Sequence, residues 1–336
     1  MKILFSFLGG LLWILPIMGQ THEDTIFCGM ALAPVTIDGQ DTEACWEQAG
    51  WHAIDQVWIP YGAVMKAGDF SGWFKVAWDT AFLYLLVEVM DDMLSDDHID
   101  PYTQWWDDDC LEIFVDENRS MGDHKRNCNA FAYHISLSFD ALDLNAAGQG
   151  VNYKDHIEVD MDTIATDTYL WEVAIRLYDA TYQSADPEAS RVYPKAGMLM
   201  GLALAYCDND ATTTRENFIG SMYLSRATGD VMWRNADYFG PLLLVGTSLT
   251  GPVIRPEKPA VRVYPVPVRD LFTVEIASGN GSMQWLKIFN LHGHLVFTEA
   301  FQGSSHTLSL ADLPPGSYLL QVDSAGESFI RMILKL

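Results

Sequence analysis

The sequence predicts an all-β protein: a jelly-roll or Ig-like β-sandwich followed by a smaller, seven-stranded Ig-like β-sandwich. Three observations predict it. Apolar residues recur in short alternating runs rich in β-branched and aromatic side chains, bounded by Asp, Asn and Gly. No stretch sustains a helical period, and one short helical turn at Thr42–Gln48 is the exception. A break in composition near residue 247 divides two regions of different charge.

The chain opens with an export signal over residues 1–19. Lys2 supplies the positive end, and an apolar run from Ile3 to Met18 leads to a cleavage site at Ile17-Met18-Gly19. The run is short for a membrane span, and no later segment is apolar enough to be one, so no integral span is expected after signal removal. Five cysteines (Cys28, Cys45, Cys110, Cys128 and Cys207) therefore face an oxidising compartment, where one or two disulfides can form and at least one thiol stays unpaired; buried small residues with at most one bridge are the favoured reading. No cysteine–histidine spacing marks a zinc site.

Residues 20–246 form the first domain. They carry 38 acidic and 12 basic side chains, a net of −26, whereas residues 260–336 carry 6 and 5, a net of −1. Such an acidic surface repels phosphate backbones and anionic headgroups, which excludes nucleic acid and membrane-surface partners. Strands are expected at 74–78, 83–89, 110–116, 130–138, 169–177 and 198–207. Thr247–Pro259, with three prolines and no alternation, reads as a linker. Seven short strands follow, at 261–264, 271–277, 284–289, 294–301, 307–310, 317–322 and 329–334.

The chemistry concentrates in Trp105-Trp106-Asp107-Asp108-Asp109-Cys110-Leu111-Glu112. A tryptophan among carboxylates is placed to lie against a flat, hydroxylated ligand such as a sugar ring. In the strand that follows, Leu111, Ile113 and Val115 share one face, with Cys110, Glu112 and Phe114 on the other. In the strand beyond, Tyr133 and Ile135 face one way and His134 the other. If these strands are neighbours, Glu112 and His134 meet beneath Trp106. Aromatic anchors with a few placed polar groups are the usual makeup of a sugar site.

The first domain resembles a family 9 carbohydrate-binding module, a β-sandwich of the DOMON-like group. The matching pieces, in family order, are Ile37-Asp38-Gly39 with Cys45-Trp46; Ala77-Trp78-Asp79, Leu83-Tyr84-Leu85 and Asp91-Asp92; Trp106 to Glu117; Asn129 to His134; Trp171 to Ile175; and Trp233 with Phe239-Gly240-Pro241. The resemblance implies a secreted, non-catalytic protein that holds a sugar between two tryptophans, with a glutamate on its hydroxyls. The W-x-x-D-x-x-E pattern falls on Trp106 and Glu112, and the second tryptophan on Trp233. The family's arginine on the strand after Glu112 is missing, with His134 near its place. Calcium is a further implication, for which Asp91, Asp92, Asp107 and Asp108 are hard oxygen ligands.

Residues 260–336 resemble the C-terminal sorting domain of type IX secretion cargo. Val263-Tyr264-Pro265-Val266-Pro267-Val268, Leu286 to Gly293, Leu313 to Leu320 and the terminal Ile333-Leu334-Lys335-Leu336 keep the order of that family's four elements. The resemblance implies type IX secretion machinery as a partner, and release from or attachment to the cell surface. A polysaccharide or oligosaccharide is the expected ligand. Other functions remain open at this level: glycoside hydrolysis by paired carboxylates, haem held between Met90 and His134, or a structural surface role in which Trp106 and Trp233 cover a sheet edge.

Overall fold

The computed structural model describes residues 25–336 except 64, 66–67, 99, 146, 211–212, 225–229, 247–260, 265, 267, 277–282, 292 and 325–326. The expected export signal and linker thus lie outside the described residues.

The first part of the chain contributes β1 (Ile26–Met30), α1 (Ala44–Gln48), β2 (His52–Ile54), β3 (Gln56–Ile59), β4 (Phe70–Trp78) and β5 (Leu83–Asp91). There follow β6 (Cys110–Asp116), β7 (Phe131–Ser136), β8 (Ala141–Leu144), β9 (Gly150–Asn152), β10 (Ile157–Ala165) and β11 (Thr168–Ile175). Two short strands, β12 (Leu177–Tyr178) and β13 (Arg191–Val192), precede β14 (Leu199–Asp208), β15 (Asn217–Gly220) and β16 (Gly240–Val245).

One leaf runs β10-β11-β5-β4, and the other β16-β14-β6-β7-β8-β9. Strand β1 joins them by pairing in parallel with both β4 and β16. The alternating side chains dictate how the leaves close. Leu83, Leu85, Val87 and Val89 from β5 and Trp171, Val173 and Ile175 from β11 point inward. They meet Leu111, Ile113 and Val115 from β6, Tyr133 and Ile135 from β7, and Leu202 and Leu204 from β14. Burying each such side chain contributes roughly 1.5–3 kcal/mol.

The outward face of the second leaf is not left to water. Cys110, Phe114, Ala132, Ala203, Ala205 and Cys207 form a second core with Trp58, Phe218 and Phe239, so β6 is buried on both faces. This second core supports the site below. Trp58, Trp78 and Trp171 are all buried in the cores. Met90 does not face His134: Val89 and Ile135 enter the shared core from opposite leaves, so their neighbours Met90 and His134 point outward, away from each other.

The C-terminal part is a second sandwich with its own core. Its strands are β17 (Val261–Tyr264), β18 (Leu271–Ile276), β19 (Met283–Asn290), β20 (Leu295–Gln302), β21 (Ser305–Ser309), β22 (Gly316–Ser324) and β23 (Glu327–Lys335). They form a three-stranded sheet, β17-β18-β21, facing a four-stranded sheet, β20-β19-β22-β23. Among the described residues no helix is long and apolar enough to cross a membrane.

Candidate functional site

Strands β6 and β7 pair in antiparallel register with Glu112 directly opposite His134. Opposed side chains on one face lie within contact range. His134 Nε2 stands 3.0 Å from Glu112 Oε1, with the glutamate 1% and the histidine 9% exposed. The other ring nitrogen, Nδ1, lies 3.2 Å from the carbonyl of Ala132 and 3.3 Å from that of Leu142. Both ring nitrogens therefore face acceptors, an arrangement that suits the imidazolium. Burial opposes that charge, but the Glu112 carboxylate outweighs it and holds His134 above its ordinary range. Burial likewise opposes ionisation of Glu112, and His134 and Arg215 outweigh it, so its pKa is lowered.

Arg215 precedes β15 and lays its guanidinium 4.2 Å from the centre of the Phe218 ring. Its Nη1 is 3.6 Å from Glu112 Oε1, and the Cys207 thiol donates to the same oxygen at 3.2 Å. Three groups thus converge on Oε1. Glu112 Oε2 is buried and has no protein partner, which leaves one strong acceptor at the floor.

The loop before β6 carries the aromatic wall, and the three aspartates lock it. Asp108 accepts from the backbone N–H groups of Asp97 and His98, both at 3.0 Å, and lies 2.8 Å from His98 Nδ1. Asp109 accepts from the Asn209 N–H at 2.8 Å. Asp107 accepts from the Gln104 amide at 3.0 Å and from the Arg215 backbone N–H at 3.3 Å, which ties the loop to the arginine.

On this loop Trp106 is 39% exposed. Trp105 meets its ring edge-on, with centroids 5.1 Å apart, and also approaches His134 at 6.3 Å. Trp233 comes from the segment between β15 and β16. His124 pins that segment on both sides of the tryptophan, its Nε2 lying 2.8 Å from the Met232 carbonyl and its N–H donating to the Arg234 carbonyl at 2.9 Å. The Lys125 ammonium sits over the Trp233 ring, 4.5 Å from its centroid.

These groups surround a cavity of about 540 Å³, whose lining includes Trp105, Trp106, Glu112, His134, Arg215 and Trp233 together with Asp143, Phe218 and Asp230. That is the size of a small-ligand pocket. All four residues expected from the sequence line it. Among the other lining residues, Trp105 and Arg215 stand out. Trp105, beside Trp106 in the same loop, is itself a wall. The guanidinium sought on the strand after Glu112 arrives instead from Arg215, beyond β14, where no periodic pattern flags it. Asp143, half-buried at the border, has its pKa pushed up by burial to about 7.

A second polar cluster lies at the ends of β5, β6 and β14. Carboxylate oxygens of Asp91, Asp109 and Asp208 lie within 4.8 Å of one another, and all three residues are buried. Burial and mutual repulsion push Asp91 up to about 7, Asp109 to about 9 and Asp208 to about 7. Asp91 Oδ2 and Asp208 Oδ1 have no hydrogen-bond partner. Asp69, Asp92 and Asp210 form a further carboxylate group, in which Asp69 is buried, Asp210 half-buried and Asp92 exposed. Hard oxygen donors with orphaned lone pairs fit calcium. The set differs from the one read in the sequence: Asp91 and Asp92 belong to these groups, whereas the Asp107 and Asp108 carboxylates are taken up by the loop.

The family described as carbohydrate family 9 binding domain-like matches residues 37–247, and the secretion system C-terminal sorting domain matches residues 262–335. Among solved structures, the chain is similar to a family 9 carbohydrate-binding module from Caldicellulosiruptor kristjanssonii in complex with cellotriose. That match has 21% identity and a TM-score of 0.49, and covers 70% of this chain and 100% of that one. The module in complex with glucose matches at 20% identity and a TM-score of 0.48, over 67% of this chain and 99% of that one. A putative carbohydrate-binding protein from Bacteroides uniformis ATCC 8492 matches at 12% identity and a TM-score of 0.44, over 66% and 98%. No curated protein matches the sequence. The first family match spans well over half of the chain, which thus belongs to the non-catalytic family 9 carbohydrate-binding modules and carries a C-terminal sorting domain for secretion to the cell exterior.

Proposed function

We propose that the cavity binds one sugar unit of a polysaccharide or oligosaccharide, with Trp106 and Trp233 against its apolar faces, Glu112 and Arg215 on its hydroxyls, and His134 lining the floor and holding Glu112 in place. The observation that carries this reading is the unpartnered Glu112 Oε2 at the floor of a tryptophan-walled cavity. A sugar hydroxyl supplies the missing donor. Arg215 offers N–H donors to neighbouring hydroxyl oxygens, while His134, whose two N–H groups are taken by Glu112 Oε1 and by backbone carbonyls, holds the carboxylate charged and in place. Aromatic rings suit the C–H faces of a pyranose, and fixed polar groups set its orientation.

The protein adds no bond-breaking step. It anchors itself to carbohydrate outside the cell and serves breakdown of polysaccharide by separate hydrolases, after export by the type IX machinery through its C-terminal domain. The Asp91, Asp109 and Asp208 carboxylates hold calcium and brace the loop that carries the tryptophans. The test is isothermal titration with a glycan panel that includes glucose and cellotriose, the ligands of the Caldicellulosiruptor complexes. Saturable heat with the wild type, weakened by Trp106→Ala and by Trp233→Ala, supports the assignment. Equal affinity in all three proteins overturns it.

A further inference from the structure

We propose that Cys110 and Cys207 close a cross-strand disulfide beneath the cavity when the chain folds outside the cytoplasm. Strands β6 and β14 are antiparallel, and their register sets Cys110 directly opposite Cys207. Opposed residues in such a pair have Cα atoms about 4.5–5.5 Å apart, inside the range a disulfide spans. Both side chains lie on the same face, in the small core with Phe114 and Ala205. The two sulfur atoms lie within 4.8 Å of each other, so side-chain rotation alone brings them to bonding distance. Cys110 begins β6 and Cys207 stands one residue from the end of β14, where the ladder can adjust its twist.

The other cysteines lack this arrangement. Cys28 is paired in register with Leu244, Cys45 lies on α1, and Cys128 sits beside the Tyr182 carbonyl. A soft metal ion is the other ligand that two thiols and a carboxylate invite. The Arg215 guanidinium, 3.2 Å from Cys207 Sγ, opposes a dication there.

Closure runs by disulfide exchange during folding, before burial hides the thiols. A disulfide-carrying oxidant, such as an exported thiol oxidase or oxidised glutathione, is attacked by one cysteine thiolate to give a mixed disulfide. The second thiolate displaces the oxidant, the Cys110–Cys207 bond forms, and two protons and two electrons leave with the oxidant as its two thiols. The bond also removes the thiol that donates to Glu112 Oε1 and leaves that oxygen to His134 and Arg215. The cross-link stands on strand register and export, and is independent of which ligand fills the cavity above.

The experiment uses the full chain exported into an oxidising periplasm, denatured in iodoacetamide without reductant, digested and mapped by mass spectrometry. The expected result is a linked peptide pair containing Cys110 and Cys207, with alkylated Cys28, Cys45 and Cys128. Dithiothreitol is expected to lower the wild-type Tm by about 5–15 °C and to leave the Tm of the C110A/C207A double variant unchanged. Alkylation of all five cysteines without reductant, a link from either residue to another cysteine, or zinc bound by the thiol pair would overturn the proposal.

Discussion

Replacing Trp106 by alanine removes a wall of the cavity and leaves the cores intact. The side chain is 39% exposed. With about 250 Å² for a whole tryptophan, that is roughly 100 Å² of accessible ring, of which about half faces the cavity. Covering about 50 Å² with the apolar face of a sugar is worth about 1.2 kcal/mol at 25 cal/mol per Å². The specific aromatic contribution adds about 0.5–1.5 kcal/mol. Trp106→Ala should therefore weaken sugar binding by about 1.7–2.7 kcal/mol, roughly 20- to 100-fold in Kd. The Tm should shift by only a few degrees, because the ring is not a core residue. Titration calorimetry with a bound oligosaccharide, paired with a thermal melt, reads both quantities. An affinity within twofold of the wild type in a folded variant would refute the stacking argument.

Four further outcomes follow from the same geometry. Glu112→Gln keeps the shape but removes the charge that offsets the burial of His134; the imidazole should then lose its proton near neutral pH, visible as a downfield-to-upfield change in its NMR titration, and sugar affinity should fall at least tenfold. The Glu112–His134 pair has a defined pH window. His134 has a raised folded pKa, so its contribution is full below the unfolded value and is lost as pH rises through the folded one; Glu112 has a lowered pKa, so its contribution is lost as pH falls through that value. Both are fully present between about pH 4.5 and 6.5, and denaturant melts across pH should place the pair's coupling maximum there. Calcium at about one hundred times its Kd should stabilise the first domain by about 2.7 kcal/mol, about 5–10 °C in Tm; identical melts in calcium and in chelator would refute the carboxylate assignment. Gly220→Ala would place a Cβ 2.0 Å from the Trp58 ring, which packs edge-on against Phe218 at 5.0 Å; we expect a stability loss of about 1–3 kcal/mol or more in chemical denaturation.

The legible parts of the fold were those whose side chains alternate against a core. β5, β6 and β7 announce themselves because every second residue enters one apolar interior. β10 alternates as well, with Ile157, Val159 and Met161 toward the core and Glu158, Asp160 and Asp162 outward, but its acidic, edge-strand composition lacks the dense β-branched and aromatic run that marks the others. β15 is only four residues long, too short for a period to declare itself. In the site, Glu112 and His134 were readable because strand parity fixes their face and neighbouring strands fix their meeting. Arg215 was not, because the strand after Glu112 supplies an imidazole and the guanidinium enters from a loop a hundred residues away in the chain. The three aspartates of the tryptophan loop were also opaque: hydrogen bonds to backbone N–H groups of a folded loop leave no trace in spacing.

The most direct measurement is a crystal structure of the protein with an oligosaccharide that the titration panel shows to bind. The expected result is one sugar ring in the cavity between Trp106 and Trp233, with a hydroxyl donating to Glu112 Oε2 and others within reach of Arg215. A ring bound elsewhere on the sandwich, with Glu112 Oε2 still without a donor, would contradict it.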